Sequence, residues 1–166
     1  QIEAELRAAL KTSGLTVFYQ PIVDLETREP KSFEALVRWP HPTLGLLPPS
    51  EFIPLAETLD LIHDIGMNVL AEVCADLRDW ARRLPEGTPL RVSVNLSARQ
   101  LARPQLADEL LAAIDASGLA HNTIRFEVTE SVLARQDGPA IDTLHALRAA
   151  GIDILIDDFG TGYSAL

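Results

Sequence analysis

Cysteine is almost absent from this sequence, which holds a single thiol, Cys74. One cysteine excludes an internal disulfide framework and is typical of a reducing compartment. The sequence also has no apolar run near the roughly 20 residues that a transmembrane helix needs, and it opens without the basic segment of a signal peptide. We therefore expect a cytoplasmic chain that makes no membrane contact through this segment, within a parent protein that can still be membrane-tethered.

Basic residues are scarce as well: 14 Lys and Arg stand against 24 Asp and Glu, which gives a formal charge of −10. Such an acidic surface repels phosphate backbones, so we expect no nucleic-acid polymer as a partner. The 166 residues suit one domain, and 47% hydrophobic residues supply a core, which excludes a disordered chain. The sequence opens Gln1-Ile2-Glu3 without an initiator Met, and we expect it to be a piece of a longer polypeptide.

Hydrophobic periodicity predicts an alternation of strands and helices. Strands are predicted at 17–25, 33–39, 91–97, 123–130 and 152–159. Helices are predicted at 2–12, from Ser50–Glu51 with an interruption at Pro54, at about 60–84, at 98–117 and at 139–150, with 40–50 as a loop.

The order of these elements restricts the topology. The first two strands are joined by residues 26–32, too few to cross a sheet, so they should pair antiparallel. From the second strand onward strands alternate with helices, which predicts a mostly parallel sheet with right-handed crossovers. About five strands are fewer than a closed (β/α)₈ barrel has, and such a barrel needs about 250 residues. The sequence therefore fits either an open α/β sheet or a barrel without its last third.

Acidic and amide side chains recur along the later strands, mostly toward their C-terminal ends: Glu34, Asn95, Glu127, Glu130, Asp157 and Asp158. The C-terminal ends of parallel strands open at one mouth, where the active sites of α/β folds lie. Glu34 stands early in its strand and must project inward to reach that mouth. Carboxylates gathered there repel one another without a cation, and all-oxygen ligation suits Mg²⁺, Mn²⁺ or Ca²⁺ rather than zinc.

Each of these residues also has a structural interpretation. A single Glu at a strand end is more often solvated, Asp157-Asp158 can cap the next helix, and Asn95 can cap a helix as well. Arg38 shares a strand face with Glu34, so it is either a salt-bridge partner or a bidentate phosphate ligand, and the sequence leaves both open. The functional interpretation depends on the recurrence of such residues on successive strands.

Six runs of sequence, in order along nearly the whole chain, resemble the EAL domain, the bacterial family of cyclic di-GMP phosphodiesterases. The runs are YQPIVDL (19–25), EALVRW (34–39), HP…G…P…FIPLAE (41–57), VSVNLSARQL (92–101), FEVTES (126–131) and IDDFGTGYSAL (156–166). A lone EAL tripeptide carries no weight, whereas six ordered runs are highly specific. The resemblance implies a TIM-barrel-like (β/α)₈ fold with an antiparallel first strand, of which residues 1–166 would be the N-terminal two-thirds of a single domain.

The resemblance also implies roles for individual residues. The family's metal ligands match Glu34, Asn95, Glu127 and Asp157, with Asp158 at the second metal position. The carboxylates of this set, Glu34, Glu127, Asp157 and Asp158, are the implied catalytic residues. Positions that contact substrate match Gln20, Leu36 and Arg38, with Asn95 beside them, and Glu130 matches a carboxylate that supports the DFGTG loop.

The implied reaction is metal-dependent hydrolysis of cyclic di-GMP to linear pGpG, at two Mg²⁺ or Mn²⁺ ions roughly 4 Å apart, with Ca²⁺ inhibitory. The implied partners are cyclic di-GMP, a second copy of the chain in a homodimer or other self-association, and an upstream sensory or GGDEF domain. The family pattern continues beyond Leu166 with a Lys, a Glu and a Gln. We therefore expect the parent domain to be active and this piece not to suffice by itself.

Two other functions stay open at this point. One is a non-catalytic receptor or regulatory module that binds cyclic di-GMP without turnover, against which the intact predicted ligands argue. The other is a scaffolding piece whose open sheet edge pairs with another copy, because an unclosed parallel sheet exposes backbone groups.

Overall fold

One mixed β-sheet organises the chain in the computed structural model, which describes residues 2–85, 88, 90–133 and 138–157. In these ranges the strands are β1 Thr16–Val23, β2 Pro30–His41, β3 Gly45–Leu47, β4 Val92–Asn95, β5 Ile124–Thr129 and β6 Asp153–Asp157. The strand order is β1-β2-β4-β5-β6, and β3 pairs with the end of β2.

The first two strands form an antiparallel hairpin, as the short connection predicts, with Gln20 opposite Glu34. The turn between them is stabilised by Asp24, whose Oδ1 accepts hydrogen bonds from the backbone N–H groups of Glu26 and Thr27, each at 2.9 Å. The pairs β2–β4, β4–β5 and β5–β6 are all parallel. An antiparallel first strand followed by a parallel ladder is therefore confirmed.

Helices cover one face of this sheet. Their bounds are α1 Ile2–Lys11, α2 Pro49–Thr58, α3 Ile62–Arg83, α4 Ala98–Leu101, α5 Leu106–Ser117, α6 Glu130–Leu133 and α7 Pro139–Ala149, with a 3₁₀ turn at His121–Thr123. Gly118 ends α5 with φ of 73°, a left-handed conformation that glycine adopts without a steric penalty. Within the described residues, no helix combines the length and apolarity that crossing a membrane requires.

The core lies between the sheet and these helices. Alternate residues of a strand share one face, and on that face of β5 Ile124, Phe126 and Val128 are at most 1% exposed. They belong to one cluster with residues of the long helices, among them Leu70, Leu77, Leu110 and Leu147. Burial of each such side chain contributes about 1.5–3 kcal/mol. The opposite face of the strands carries Glu34 and Glu127 beside apolar residues such as Leu36 and Leu155, and the candidate site lies there.

The prediction of segment 40–50 as a loop is wrong for part of its length. Strand β2 runs on to His41, and β3 folds back on it with His41 opposite Gly45. The Nδ1 atom of the buried His41 accepts hydrogen bonds from the N–H groups of Thr43 and Leu44 at 3.3 and 3.2 Å. This side-chain contact organises the turn, and the Pro and Gly content of the segment gives no indication of it.

Two helix predictions also need correction. Pro54 does not interrupt α2, which continues through it. Because proline has no N–H, the carbonyl of Ser50 lacks its helical hydrogen bond, but Ser50 is exposed and water can bind this carbonyl. The helix predicted at 98–117, with Pro104 suited to starting its second half, is two separate helices, because Pro104 disfavours helical geometry at the residue before it. The strand predicted to reach residue 130 ends at Thr129, and the predicted end of the last strand, Asp158 and Phe159, lies outside the described residues.

Candidate functional site

The polar face of the sheet carries predicted site residues from the early part of β2 and from the C-terminal parts of β4, β5 and β6. In the parallel register Asn95 is aligned with Glu127, and Thr129 with Asp157. Glu34 is aligned with Ser93, one inward-facing step before Asn95. The side-chain Nδ2 of Asn95 donates a hydrogen bond to Oε1 of Glu34 at 3.0 Å. Two predicted site residues from different strands are therefore in direct contact.

Glu127 is the buried member of this group, with 8% of its surface exposed. Burial raises the pKa of its carboxyl above the ordinary value, and the negative charges of Glu34 and Asp157 raise it further. The Ser93 hydroxyl and the Arg125 guanidinium lower the same pKa, without reversing the shift. The negative charges of Glu34 and Asp157 thus disfavour ionisation of Glu127, and Asn95 joins the set through its hydrogen bond to Glu34.

The chemistry of this donor set fits a hard divalent cation. It consists of carboxylate and amide oxygens, which Mg²⁺ and Mn²⁺ prefer, and the charge excess around Glu127 is what such a cation neutralises. In the part of the chain that the structure describes, no three Asp, Glu, His or Cys side chains are grouped closely enough to hold a metal ion. Asp158, the predicted ligand of a second metal, lies outside the described residues.

A cavity of about 490 Å³ opens beside this group. Its walls come from β2, β4, α2 and α3 and are largely apolar, with Leu36, Ile53 and Ile65 among them. Asn95 and Asp157 also line it, which connects the cavity to the candidate ligands. Concave, mostly apolar pockets with a few polar groups are the usual form of small-molecule sites.

Arg38 is the predicted phosphate contact on β2. Its Nη1 donates a hydrogen bond to the carbonyl of Val37 at 2.9 Å, and its guanidinium carbon lies 5.9 Å from the centroid of the Phe18 ring. Among the described residues, no Asp or Glu forms an ion pair with it. Gln20, across the hairpin from Glu34, is exposed. The salt-bridge interpretation of Arg38 therefore has no carboxylate partner in this part of the structure.

Glu130 occupies a different position from the other predicted residues. It is the first residue of α6 rather than the end of a strand, and it is half-buried. The DFGTG loop that it is predicted to support lies outside the described residues. Its supporting role therefore stays a prediction.

Two polar residues beneath the site were not predicted from the sequence. Ser93 is fully buried and aligned with both Glu34 and Arg125. Arg125 is aligned with Asp153, with Nε 3.6 Å from Oδ2. Each stands two residues before a predicted ligand, Asn95 or Glu127, and so shares its strand face. That spacing is the sequence signal that could have identified them.

Comparison with known proteins points in one direction. The family model of the EAL domain matches residues 3–166. The cyclic di-GMP phosphodiesterase NbdA of Pseudomonas aeruginosa is 45% identical over 166 residues, which cover 100% of this chain and 21% of NbdA. MucR of the same organism, a bifunctional diguanylate cyclase/cyclic di-GMP phosphodiesterase, is 41% identical over 167 residues, covering 100% of this chain and 24% of MucR. The chain thus spans about a fifth of the length of the curated relatives it matches.

Solved structures agree with the sequence relatives. The chain superposes on the MucR phosphodiesterase in complex with c-di-GMP with a TM-score of 0.90 and 40% identity, over 97% of this chain and 64% of that one. The EAL enzyme Bd1971, bound to cAMP and cyclic di-GMP, gives a TM-score of 0.87 and 32% identity, over 99% of this chain and 45% of that one. The mixed sheet is thus the open part of a TIM-barrel-like α/β fold, and the chain belongs to the EAL domain family.

Proposed function

We propose that this EAL domain hydrolyses cyclic di-GMP to linear pGpG in a reaction that depends on Mg²⁺ or Mn²⁺. The observation that carries the proposal is the contact between two predicted ligands on neighbouring strands, because Nδ2 of Asn95 lies 3.0 Å from Oε1 of Glu34. The negative charges of Glu34 and Asp157 also raise the pKa of the buried Glu127 carboxyl. Names of relatives that include cyclic di-GMP phosphodiesterase support the substrate. We further propose that residues 1–166 are the N-terminal two-thirds of the domain.

In this proposal Glu34, Asn95, Glu127 and Asp157 hold the cations, with Asp158 at a second metal position. A bound divalent cation supplies Lewis-acid chemistry: it activates water and stabilises charge on the phosphate. Asn95 orients the Glu34 carboxylate through its amide N–H, which leaves the amide oxygen as a donor atom. Glu127 is buried and lies within strand β5, and both features fix the position of its carboxylate.

The rest of the site binds the substrate. Arg38 lies on the same strand face as Glu34, and its planar guanidinium is suited to a phosphodiester oxygen. The Phe18 ring beside it limits the directions that the guanidinium can take. Leu36 and the apolar wall of the cavity are suited to a planar base and exclude water from it. Gln20 offers both a donor and an acceptor for the edge of a guanine.

The binding partners of the domain are also part of the proposal. We propose cyclic di-GMP as the ligand and, because a diguanylate cyclase activity is named for MucR, a GGDEF or sensory domain upstream in the parent protein. Self-association of the chain stays a prediction.

The test is product formation. The intact protein is incubated with cyclic di-GMP and Mg²⁺, Mn²⁺ or Ca²⁺, and pGpG is followed by chromatography. We expect product with Mg²⁺ or Mn²⁺, none with Ca²⁺, and loss of product in Glu34→Ala. Glu26→Ala, which removes an exposed carboxylate from the turn between β1 and β2, is the matched control and should leave turnover unchanged. Binding of cyclic di-GMP without pGpG under every metal would instead identify the receptor function.

A further inference from the structure

The backbone that follows Asn95 is fixed by two hydrogen bonds to groups outside its own strand. The N–H of Leu96 donates to the carbonyl of Glu127 at 2.8 Å. The N–H of Ser97 donates to the side-chain Oε1 of Gln100 at 3.0 Å. The position of Asn95 therefore depends on the strand beside it and on one glutamine side chain.

Gln100 is held in place by two hydrogen bonds to the same residue, Ser97. Its backbone N–H donates to the Oγ of Ser97 at 3.2 Å, so the two residues form a reciprocal cap at the start of α4. The Gln100 side chain is 3% exposed, although it is polar. A buried amide in such a cap has little freedom to take another rotamer, because any other would leave the N–H of Ser97 without its acceptor.

The other side of the Gln100 amide lies against α3 at Gly66. A Cβ added to Gly66 would collide with Nε2 of Gln100 and would lie 3.3 Å from its Cδ. Glycine in a helix interior costs about 1 kcal/mol relative to alanine, so its presence here is explained by the close approach of Gln100. Gly66, Ser97 and Gln100 also line the same cavity as Asn95.

We propose that Gln100 is the positioning residue for Asn95: its amide, seated against the bare Cα of Gly66, holds the N–H of Ser97 and so fixes where Asn95 meets Glu34. This inference rests on the proposed function only for its effect on ligand binding. The contact between α3 and the segment after β4 is a structural claim that stands by itself.

The experiment is a double-mutant cycle in the intact protein with Gly66→Ala, Gln100→Ala and the double variant. Mn²⁺ affinity and the NMR signals of the Asn95 side-chain amide are measured for each. We expect each single variant to weaken Mn²⁺ binding about tenfold, a typical effect of residues that orient ligands, and to shift the Asn95 signals. The double variant should be no worse than Gln100→Ala, because the added methyl then meets no amide.

Asn68→Ala is the matched control, since Asn68 is an exposed residue of the same helix and should change neither measurement. If Gly66→Ala does not fold, the double variant must fold, because the collision has been removed; its failure would overturn the proposal. So would additive losses in the cycle, or Asn95 signals that stay in place in both single variants. A wild-type protein that binds no Mn²⁺ would contradict the proposed function, while the NMR signals would still test the role of Gln100.

Discussion

Asn95 donates a hydrogen bond to Glu34 across 61 residues of sequence and between two parallel strands. This contact joins the amide and the carboxylate that the sequence separately indicates as ligands. Asn95→Ala removes both the donor to Glu34 and one oxygen of the donor set. We expect Mn²⁺ affinity, measured by calorimetry, to fall about 10–100-fold. Asn122→Ala, at an exposed turn, is the control. Unchanged affinity in Asn95→Ala would contradict the assignment.

Glu127 predicts a particular pH dependence for the metal-free protein. Burial and neighbouring carboxylates raise the pKa of its carboxyl from 4.5, so the folded state favours the protonated form. Its contribution to stability is complete below pH 4.5 and is lost as the pH rises through the raised pKa. Glu127→Gln should therefore be more stable than wild type in EDTA at pH 7.5, and this difference should vanish near pH 4. Urea unfolding at both pH values measures it. If Glu127→Gln is less stable than wild type at both pH values, the charged carboxylate does not destabilise the fold.

His121 joins the C-terminal parts of α5 and α7, and its protonation makes the stability of the protein depend on pH. Its Nδ1 lies 2.6 Å from the carbonyl of Ala150, and its Nε2 lies 2.7 Å from Oδ1 of Asp115. The backbone contact first, and then the Asp115 carboxylate, raise the pKa of the imidazole above 6.5. The stabilisation is complete below pH 6.5 and is lost as the pH rises through the raised pKa, because a neutral ring can donate only once.

The corresponding variant is His121→Gln. We expect it to lower the free energy of unfolding by about 1 kcal/mol at pH 6 and by less at pH 9. Thermal unfolding at the two pH values is the measurement. His145→Gln changes an exposed histidine of α7 and should show no such dependence. Equal losses for His121→Gln at both pH values would mean that the ring stabilises the protein only by packing.

Phe126 supports the strand that carries Glu127 from the opposite side of the sheet. The ring is fully buried, and its replacement by alanine leaves a cavity in a close-packed core. We expect Phe126→Ala to lower the free energy of unfolding by about 3–5 kcal/mol. Leu25→Ala, which changes a residue that is 90% exposed, should cost less than about 0.5 kcal/mol. A small loss in Phe126→Ala would show that this core is not tightly packed.

The sequence predicts those parts of the fold that depend on local pattern. The antiparallel first hairpin follows from a connection too short to cross a sheet, and the parallel ladder follows from the alternation of strands and helices. The helix predicted at 139–150 is found at Pro139–Ala149. Its boundaries were predictable because Pro at the start of a helix and Gly after its end are local boundary signals, here Pro139 and Gly151. The strand β3 was missed because a buried histidine side chain, and not the Pro and Gly residues that mark the segment, organises its turn.

The sequence predicts which residues belong to the candidate site, but not how they contact one another. Convergence of the strand ends gives six polar candidates, and the resemblance to the EAL domain singles out Glu34, Asn95, Glu127 and Asp157 among them as metal ligands. Their contacts could not be, since the bond between Asn95 and Glu34 depends on the register of β2 and β4, which one sequence does not display. Ser93 and Gln100 were overlooked because a buried polar residue is recognised by its partners.

The reversed direction of β1 brings the N-terminus to the working end of the sheet. Thr16 is paired with Arg38, so α1 enters beside the strand ends that carry the carboxylates. There Oε2 of Glu5 faces Nε2 of His41 at 3.2 Å, three residues after Arg38. One side-chain pair therefore joins the first helix to β2, so a displacement of α1 would act on the strand that carries Glu34.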